Sequence, residues 1–306
     1  MISKFKLLII IYFLIFKILL NIILSRRNKV CICTIGKKEN LYVREYVDYY
    51  KKRGINKIFL YDNNEKDGEK FDIILKDYID NEFVKIINVR GIIAPQIKAM
   101  EDCRKKNFRR YNWLMFFDMD EFLFLRDFNN INEFLTQKKF DKCQRIQLNW
   151  FFHTDNNLLY YDNRTLSQRF PKRHKKWKTK LGIIEGIKSI LKGNIDIEIT
   201  NIHILNPKLL SCDGFGKIQE VHSIYTYNAD FYYYYIDHYF SKSTEEFVNK
   251  LMRGSAINGY NRKYCLSRIS IYFLYNEVTM DKINYIENKT KFNLSNFRLR
   301  LKKKYN

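Results

Sequence analysis

Residues 116–125 read FFDMDEFLFL, and within that apolar run Asp118, Asp120 and Glu121 place three carboxylates in four positions. If the preceding strand continues through them, Asp118 and Asp120 point to one face and Glu121 to the other, toward a structural partner. Carboxylates side by side repel each other, and a divalent cation removes that cost. Mn2+ or Mg2+ suits oxygen ligands and would in turn hold a diphosphate. The competing reading is a strand-end turn whose acids pair with nearby lysines. LYDNNEKDG, residues 60–68, stands at a corresponding strand end, where Asp62 and Asn63 could hydrogen-bond a base or ribose, or simply form a turn. His238 lies between an aromatic run and a helix, with Lys242 four residues on, where it could complete a metal site begun by the aspartates. Its alternative role is packing in an aromatic core, and His203 and His222 are weaker rivals. Neither a Walker A nor a G-x-G-x-x-G pattern occurs, so the cation and lysines must do the work of a phosphate-cradling glycine loop.

Strand ends must position these groups, and the first half of the chain supplies strands in alternation with helices. VCICTIG (30–36), INKIFLYDNN (55–64), FVKIINV (83–89) and WLMFF (113–117) read as strands. Residues 39–53, 69–80 and a segment opening at Pro95 read as helices. The alternation predicts an α/β fold: a Rossmann-like, mostly parallel sheet with helices on both faces and ligands at the carboxyl ends of the strands. Beyond Cys143 come strand candidates at 145–152, 157–161, 186–193, 197–205 and 231–240. Ser243 and Glu246 then form a capping box, and Gly254 stops the helix. No repeat or flexible linker divides residues 30–306, which read as one domain of catalytic size: an alternating half 30–142, a half of short strand candidates 143–260 and C-terminal helices 261–306.

At 46% hydrophobic residues the chain is not disordered, and its net charge of +22 admits nucleic acid, an anionic membrane surface or a phosphorylated substrate. General richness in lysine would produce the same charge without any site. Six cysteines without a C-x-x-C predict neither zinc nor disulfides, with Cys31 and Cys33 on one face of a buried strand. Residues 5–24 are long enough to cross a bilayer, although Lys6, Lys17 and Asn21 interrupt them. They predict an N-terminal transmembrane helix, a single-pass anchor within residues 1–29 and a membrane localisation of undefined side, with an interfacial helix as the alternative.

An ordered set of motifs carries a family resemblance over most of residues 30–260. KENLYVREYVDYYKKRGINKIFLYDNNEKDG (38–68), PQIKAMEDC followed by WLMFFDMDEFL, NWFFHTDNNLLYYDNR, KSILKG and DHYFSKSTEEFVNKLMRG (237–254) are similar to glycosyltransferase family 92 and related bacterial enzymes of surface-polysaccharide assembly. The resemblance implies a GT-A fold with a DxD motif. It implies transfer of a sugar from a nucleotide-diphosphate donor, a UDP-sugar being favoured, to a glycan or lipid-linked acceptor, with inversion and with Mn2+ (or Mg2+). Carried over by position, Glu39, Asp62 and Asn63 would hold the nucleoside, and Asp118 would face the ribose or the metal. Asp120 and His238 would ligate the metal, and Lys242 would neutralise the leaving diphosphate.

Inversion needs a general base within hydrogen-bond reach of the acceptor hydroxyl. Asp155, in the HTDNN turn, is the candidate and Asp213 its rival, although Thr154 stands where related sequences often carry glycine. A metal-dependent nuclease or nucleic-acid binder is the competing class. No nucleic-acid partner is expected, because no such motif occurs and the aromatics lie in apolar runs. A catalytically silent scaffold is the third reading.

Overall fold

Val30–Gly36 (β1) is buried along its whole length, and its alternating side chains feed two different cores. The computed structural model describes residues 29–299 except 175–177, 180, 181, 184, 222, 227, 228 and 255–260, together with Tyr12, Leu14 and Phe16. Val30 and Ile32 pack with Tyr42, Val43, Tyr46 and Tyr50, whereas Cys31, Cys33 and Ile35 pack with Ala99, Met100 and Cys103. Covering on both faces is why the strand carries no polar alternation. β2 (Lys57–Asp62), β3 (Val84–Asn88) and β4 (Trp113–Met115) join it in parallel, in the order β4-β1-β2-β3. α1 (Asn40–Lys52), α2 (Phe71–Ile74) and α3 (Lys76–Asp80) cover the first face and α4 (Gln96–Asn107) the second.

The remaining elements are β5 (Glu121–Leu125), α5 (Ile131–Leu135), β6 (Arg145–Phe152), α6 (Leu166–Arg169), β7 (Lys178–Thr179), β8 (Gly182–Ile183) and β9 (Glu185–Lys192). After them come β10 (Ser211–Cys212), β11 (Ile218–Gln219), β12 (Tyr225–Thr226), β13 (Tyr234–His238), α7 (Thr244–Met252), α8 (Arg262–Tyr275) and α9 (Met280–Thr290). They correct the mostly parallel expectation. β9 enters antiparallel between β4 and β6, β13 runs antiparallel to β5 and parallel to β6, and the long sheet is ordered β11-β10-β6-β9-β4-β1-β2-β3. The sheet is mixed because β9 returns antiparallel against β4 and β6, while β10 and β13 join β6 in parallel.

The strands expected at 157–161 and 197–205 do not form. Asn156 and Asn157 adopt positive φ after the Asp155 turn, and Asn201 Oδ1 accepts the N–H groups of His203 and Ile204. These side chains supply local acceptors that compete with a strand ladder. The segment still contributes Ile199, Ile202 and Leu205 to the core behind β1.

Two further expectations are overturned. Disulfides join Cys33 on β1 to Cys103 on α4 and Cys143 to Cys212 on β10, across 70 and 69 residues of chain. Spacing along the sequence is blind to partners that only the fold brings together. Cys31 and Cys265 are buried free thiols. Among the described residues no helix is long and apolar enough to cross a membrane, so the expected transmembrane helix and the membrane localisation resting on it are not supported. Hydropathy alone carried that expectation, over a run broken by Lys6, Lys17 and Asn21. Residues 5–24 lie outside the described residues except Tyr12, Leu14 and Phe16, which are helical and exposed.

Candidate active site

β4 ends at Met115, and the Glu121 N–H donates to the Asp118 carbonyl at 3.1 Å, so the chain turns before β5 begins. The turn resets the alternation on which a shared face for Asp118 and Asp120 depended, and the two side chains take different partners. Asp118 Oδ1 accepts from Gln96 Nε2 at 3.0 Å and its Oδ2 from Lys188 Nζ at 2.8 Å. Asp120 Oδ2 accepts from Lys250 Nζ at 2.5 Å, while its Oδ1 stands 3.7 Å from His238 Nε2.

Glu121, which strand parity separates from the aspartates, lies instead with the metal candidates. One ligand atom from each of Asp120, Glu121 and His238 falls within 4.8 Å of the other two. Pairing of β13 with β5 sets His238 opposite Glu121. Glu121 Oε1 accepts from Trp150 Nε1 at 3.0 Å and its Oε2 from the Asp118 N–H at 2.9 Å. Gly186 on β9 makes room for that indole, since a Cβ there would come within 2.2 Å of the ring.

Burial by itself pushes the Asp120 carboxyl up, but Lys250 and His238 together outweigh it and hold the group well below the usual carboxylate range. At Glu121 burial wins over Lys188 and raises the carboxyl well above that range. Burial also lowers His238, against the pull of Asp120, which favours the neutral imidazole that a metal needs. His238 Nδ1 is buried without a hydrogen-bond partner among the described residues. An ionised Asp120 and a neutral His238 suit Mn2+, and Glu121 adds a third oxygen once a cation draws its raised carboxyl back down.

A second charged group adjoins the first. Glu39, at the start of α1 and 4% exposed, pairs with Arg253 at 2.6 Å and Lys242 at 3.2 Å. Burial pushes its carboxyl up, and the two cations more than reverse this. Lys242 also stands 3.2 Å from the centre of the Tyr42 ring. Lys38 and Lys242 both hold left-handed backbone, at φ 53° and 52°, strain that the surrounding contacts must offset. The expected capping box forms with both of its hydrogen bonds, and Glu246 further binds Arg169 at 2.7 Å and the Tyr42 hydroxyl at 2.5 Å. α7 is thereby fixed, and with it Lys250 and Arg253. A cavity of about 410 Å³ is bordered by Lys38, Glu39, Tyr42, Lys242, Lys250 and Arg253.

The other expected residues are placed differently. Asp62 is saturated: its Oδ2 accepts from Arg90 Nη2 and Nε at 2.7 and 2.9 Å, and its Oδ1 from the Asn64 backbone and side chain. Asn63, with its amide turned to suit its surroundings, donates to the Ile92 and Val89 carbonyls at 2.9 and 3.1 Å. Both brace the loop that follows β3. Asp155 is 1% exposed and ties the HTDNN turn to the C-terminal helices through Tyr272 at 2.5 Å and Lys282 at 2.6 Å. Its other oxygen accepts the Asn157 N–H at 2.9 Å, so its position is that of a brace and not of a base open to an acceptor. Asp213 accepts the Phe215 and Lys217 N–H groups at the β10–β11 turn, a local turn role. His203 contacts the Ile187 carbonyl, and His222 lies outside the described residues.

Sequence reasoning passed over Lys188, Trp150, Lys250 and Arg253. Lys250 and Arg253 were within reach of it: a spacing of three at the end of the capped helix puts two cations on one of its faces. Lys188 and Trp150 carry no such local signal.

The glycosyltransferase family 92 model matches residues 26–268, and the chain belongs to that family. It is 30% identical over 105 residues to a family 92 protein from Ricinus communis, covering 33% of this chain and 18% of that protein. It is 29% identical over 102 residues to one from Arabidopsis thaliana, covering 32% and 17%. The match thus spans less than a fifth of either relative's length. Among solved structures, S. aureus TarS 1-349 aligns at 12% identity and a TM-score of 0.36, over 80% of this chain and 70% of that one. The same fragment in complex with UDP aligns at 11% and 0.31, over 41% and 35%. TM-scores this low establish no shared architecture.

Proposed function

We propose that the protein is a metal-dependent glycosyltransferase that moves a hexosyl group from a nucleotide-diphosphate donor, a UDP-sugar being favoured, to a hydroxyl of a glycan or lipid-linked acceptor. The observation that carries this reading is the buried Asp120, Glu121 and His238 cluster, whose Lys250 partner also borders a cavity with Lys38, Lys242 and Arg253. Bound there by Asp120, His238 and Glu121, Mn2+ or Mg2+ would supply positive charge to the donor diphosphate. Lys242 and Arg253, oriented by Glu39, set fixed positive charge at the cavity wall, where it stabilises the negative charge that grows on the leaving group. Asp118, steadied by Gln96 and Lys188 and with its side chain 31% exposed, keeps an edge from which to accept a ribose hydroxyl. Asp62 and Asn63 serve the nucleoside indirectly, by shaping the loop beside it. Inversion, which the family resemblance implies, calls for an acceptor-side base other than Asp155.

A thermal-shift screen of UDP-sugars and GDP-sugars with Mn2+ tests the reading, since a bound donor stabilises only the folded protein. One donor should raise Tm only with metal present, and NMR of the product would give its anomeric configuration. Silence toward every nucleotide sugar, with salt-sensitive oligonucleotide binding at physiological ionic strength, would favour the nuclease reading instead.

A further inference from the structure

Three cations border the cavity on or beside α7, and they are not equivalent. Lys242 and Arg253 both rest on Glu39. Lys250 has Asp120 as its one ion-pair partner among the described residues, at 2.5 Å. Its side chain is 25% exposed, against 6% for Asp120, so its path leads outward into the cavity. The buried Phe240 ring, 4.8 Å from Nζ, is the other surface the ammonium meets in its present position. The same Asp120 carboxylate belongs to the group that could hold a divalent ion. An ammonium in contact with Oδ2 and a dication on the same carboxylate repel each other at close range, so one must yield.

We infer that Lys250 is an exchangeable counter-cation: it neutralises Asp120 until metal arrives, is displaced into the cavity, and there becomes a ligand of the donor phosphates. This rests on the metal-site reading above. Displacement gives binding an order, because the metal that frees Lys250 also creates the site where a diphosphate finds two new positive charges. Before metal binds, Asp120 competent to receive it is only part of the population, and the apparent metal affinity is lowered by that fraction. Lys250 thus acts against metal alone and in favour of metal with donor, which limits occupation of the site in the absence of substrate.

The test is calorimetric titration of Mn2+ alone, and of UDP at saturating Mn2+, into the full chain, for the wild type, Lys250→Gln, Lys250→Arg and Asp120→Asn, with circular dichroism and Tm reporting folding. Removing the competitor should tighten Mn2+ alone by about tenfold in Lys250→Gln, the scale on which groups around a metal site act. In the same variant UDP should bind about tenfold more weakly, and Lys250→Arg should restore most of that loss. Opposite signs are the signature, since mere loosening of the site would weaken both ligands. Mn2+ affinity that is unchanged or weaker in folded Lys250→Gln overturns the inference. Failure of the metal reading looks different: the wild type takes up no Mn2+, or Asp120→Asn takes it up as the wild type does.

Discussion

Asp120 and Asp155 are buried carboxylates of one kind, each held by a lysine, Lys250 at 2.5 Å and Lys282 at 2.6 Å. Around Asp155 both oxygens are engaged within a closed network. Tyr272 and Lys282 occupy one oxygen and the Asn157 N–H the other, while the Asp155 N–H itself donates to Asn276 Oδ1 at 2.6 Å. Lys282 is only 3% exposed. Around Asp120 capacity is left over: a histidine at 3.7 Å with an unpartnered nitrogen, a second buried acid, and a lysine with a way out to a cavity. Burial and an ion pair are common to a brace and to a site. Unused bonding capacity beside an open path separates them.

Substitutions can break that contrast. The largest effect is expected for Asp120→Asn, which should lower transfer by about three orders of magnitude, the scale of losing a main electrostatic contribution to a transition state. Its Tm should stay near the wild-type value, and a radiolabelled-donor assay together with a thermal melt reads both. Asp155→Ala should do the reverse. Leaving Lys282 charged, buried and unpaired costs about 3–5 kcal/mol of folding stability, measurable by urea unfolding. A stable Asp155→Ala protein that has lost transfer would restore Asp155 as the base and dissolve the comparison.

Two smaller effects sharpen it. Cys143→Ser opens a bridge across 69 residues and should lower stability by about 2–4 kcal/mol, with the Mn2+ affinity of the folded protein unchanged. The pH dependence has a separate origin in His203, whose ring meets Trp150 edge-on at 5.1 Å, beside the indole that holds Glu121. Burial and then Lys188 push its imidazole down to about 3 from an ordinary 6.5. Between those values the unfolded chain binds a proton that the folded chain does not, so stability falls as pH falls through that window. The slope is at most about 1.4 kcal/mol per pH unit. Urea midpoints between pH 7 and 4 should show a shallower slope in His203→Gln than in the wild type.

Local features were legible where the physics is local. The helix ended at Gly54 and the Ser243–Glu246 capping box rest on hydrogen bonds within a few residues, and β1, β2 and β4 show as short apolar runs. Asn201 and the Asp155 turn were misread because their side chains accept backbone N–H groups, and apolar alternation does not reveal that competition. Of the candidate site, Asp120 and His238 were legible as residue types at a strand end, whereas the place of Glu121 was not. One turn at Asp118 shifts the parity on which its exclusion rested.

The amino-acid sequence by itself determined which groups can bear charge, where strands and the capped helix begin, and the motif order that marks the family. Only the tertiary structure decided which charges meet. Pairing of β13 with β5 brings His238 to Glu121 across more than a hundred residues, and α7 carries Lys250 to Asp120. The bridges Cys33–Cys103 and Cys143–Cys212 belong to the same category. The reason is one of range: backbone preference and capping act over a few residues, while the field at a buried carboxylate is set by whatever the fold packs within a few ångströms of it.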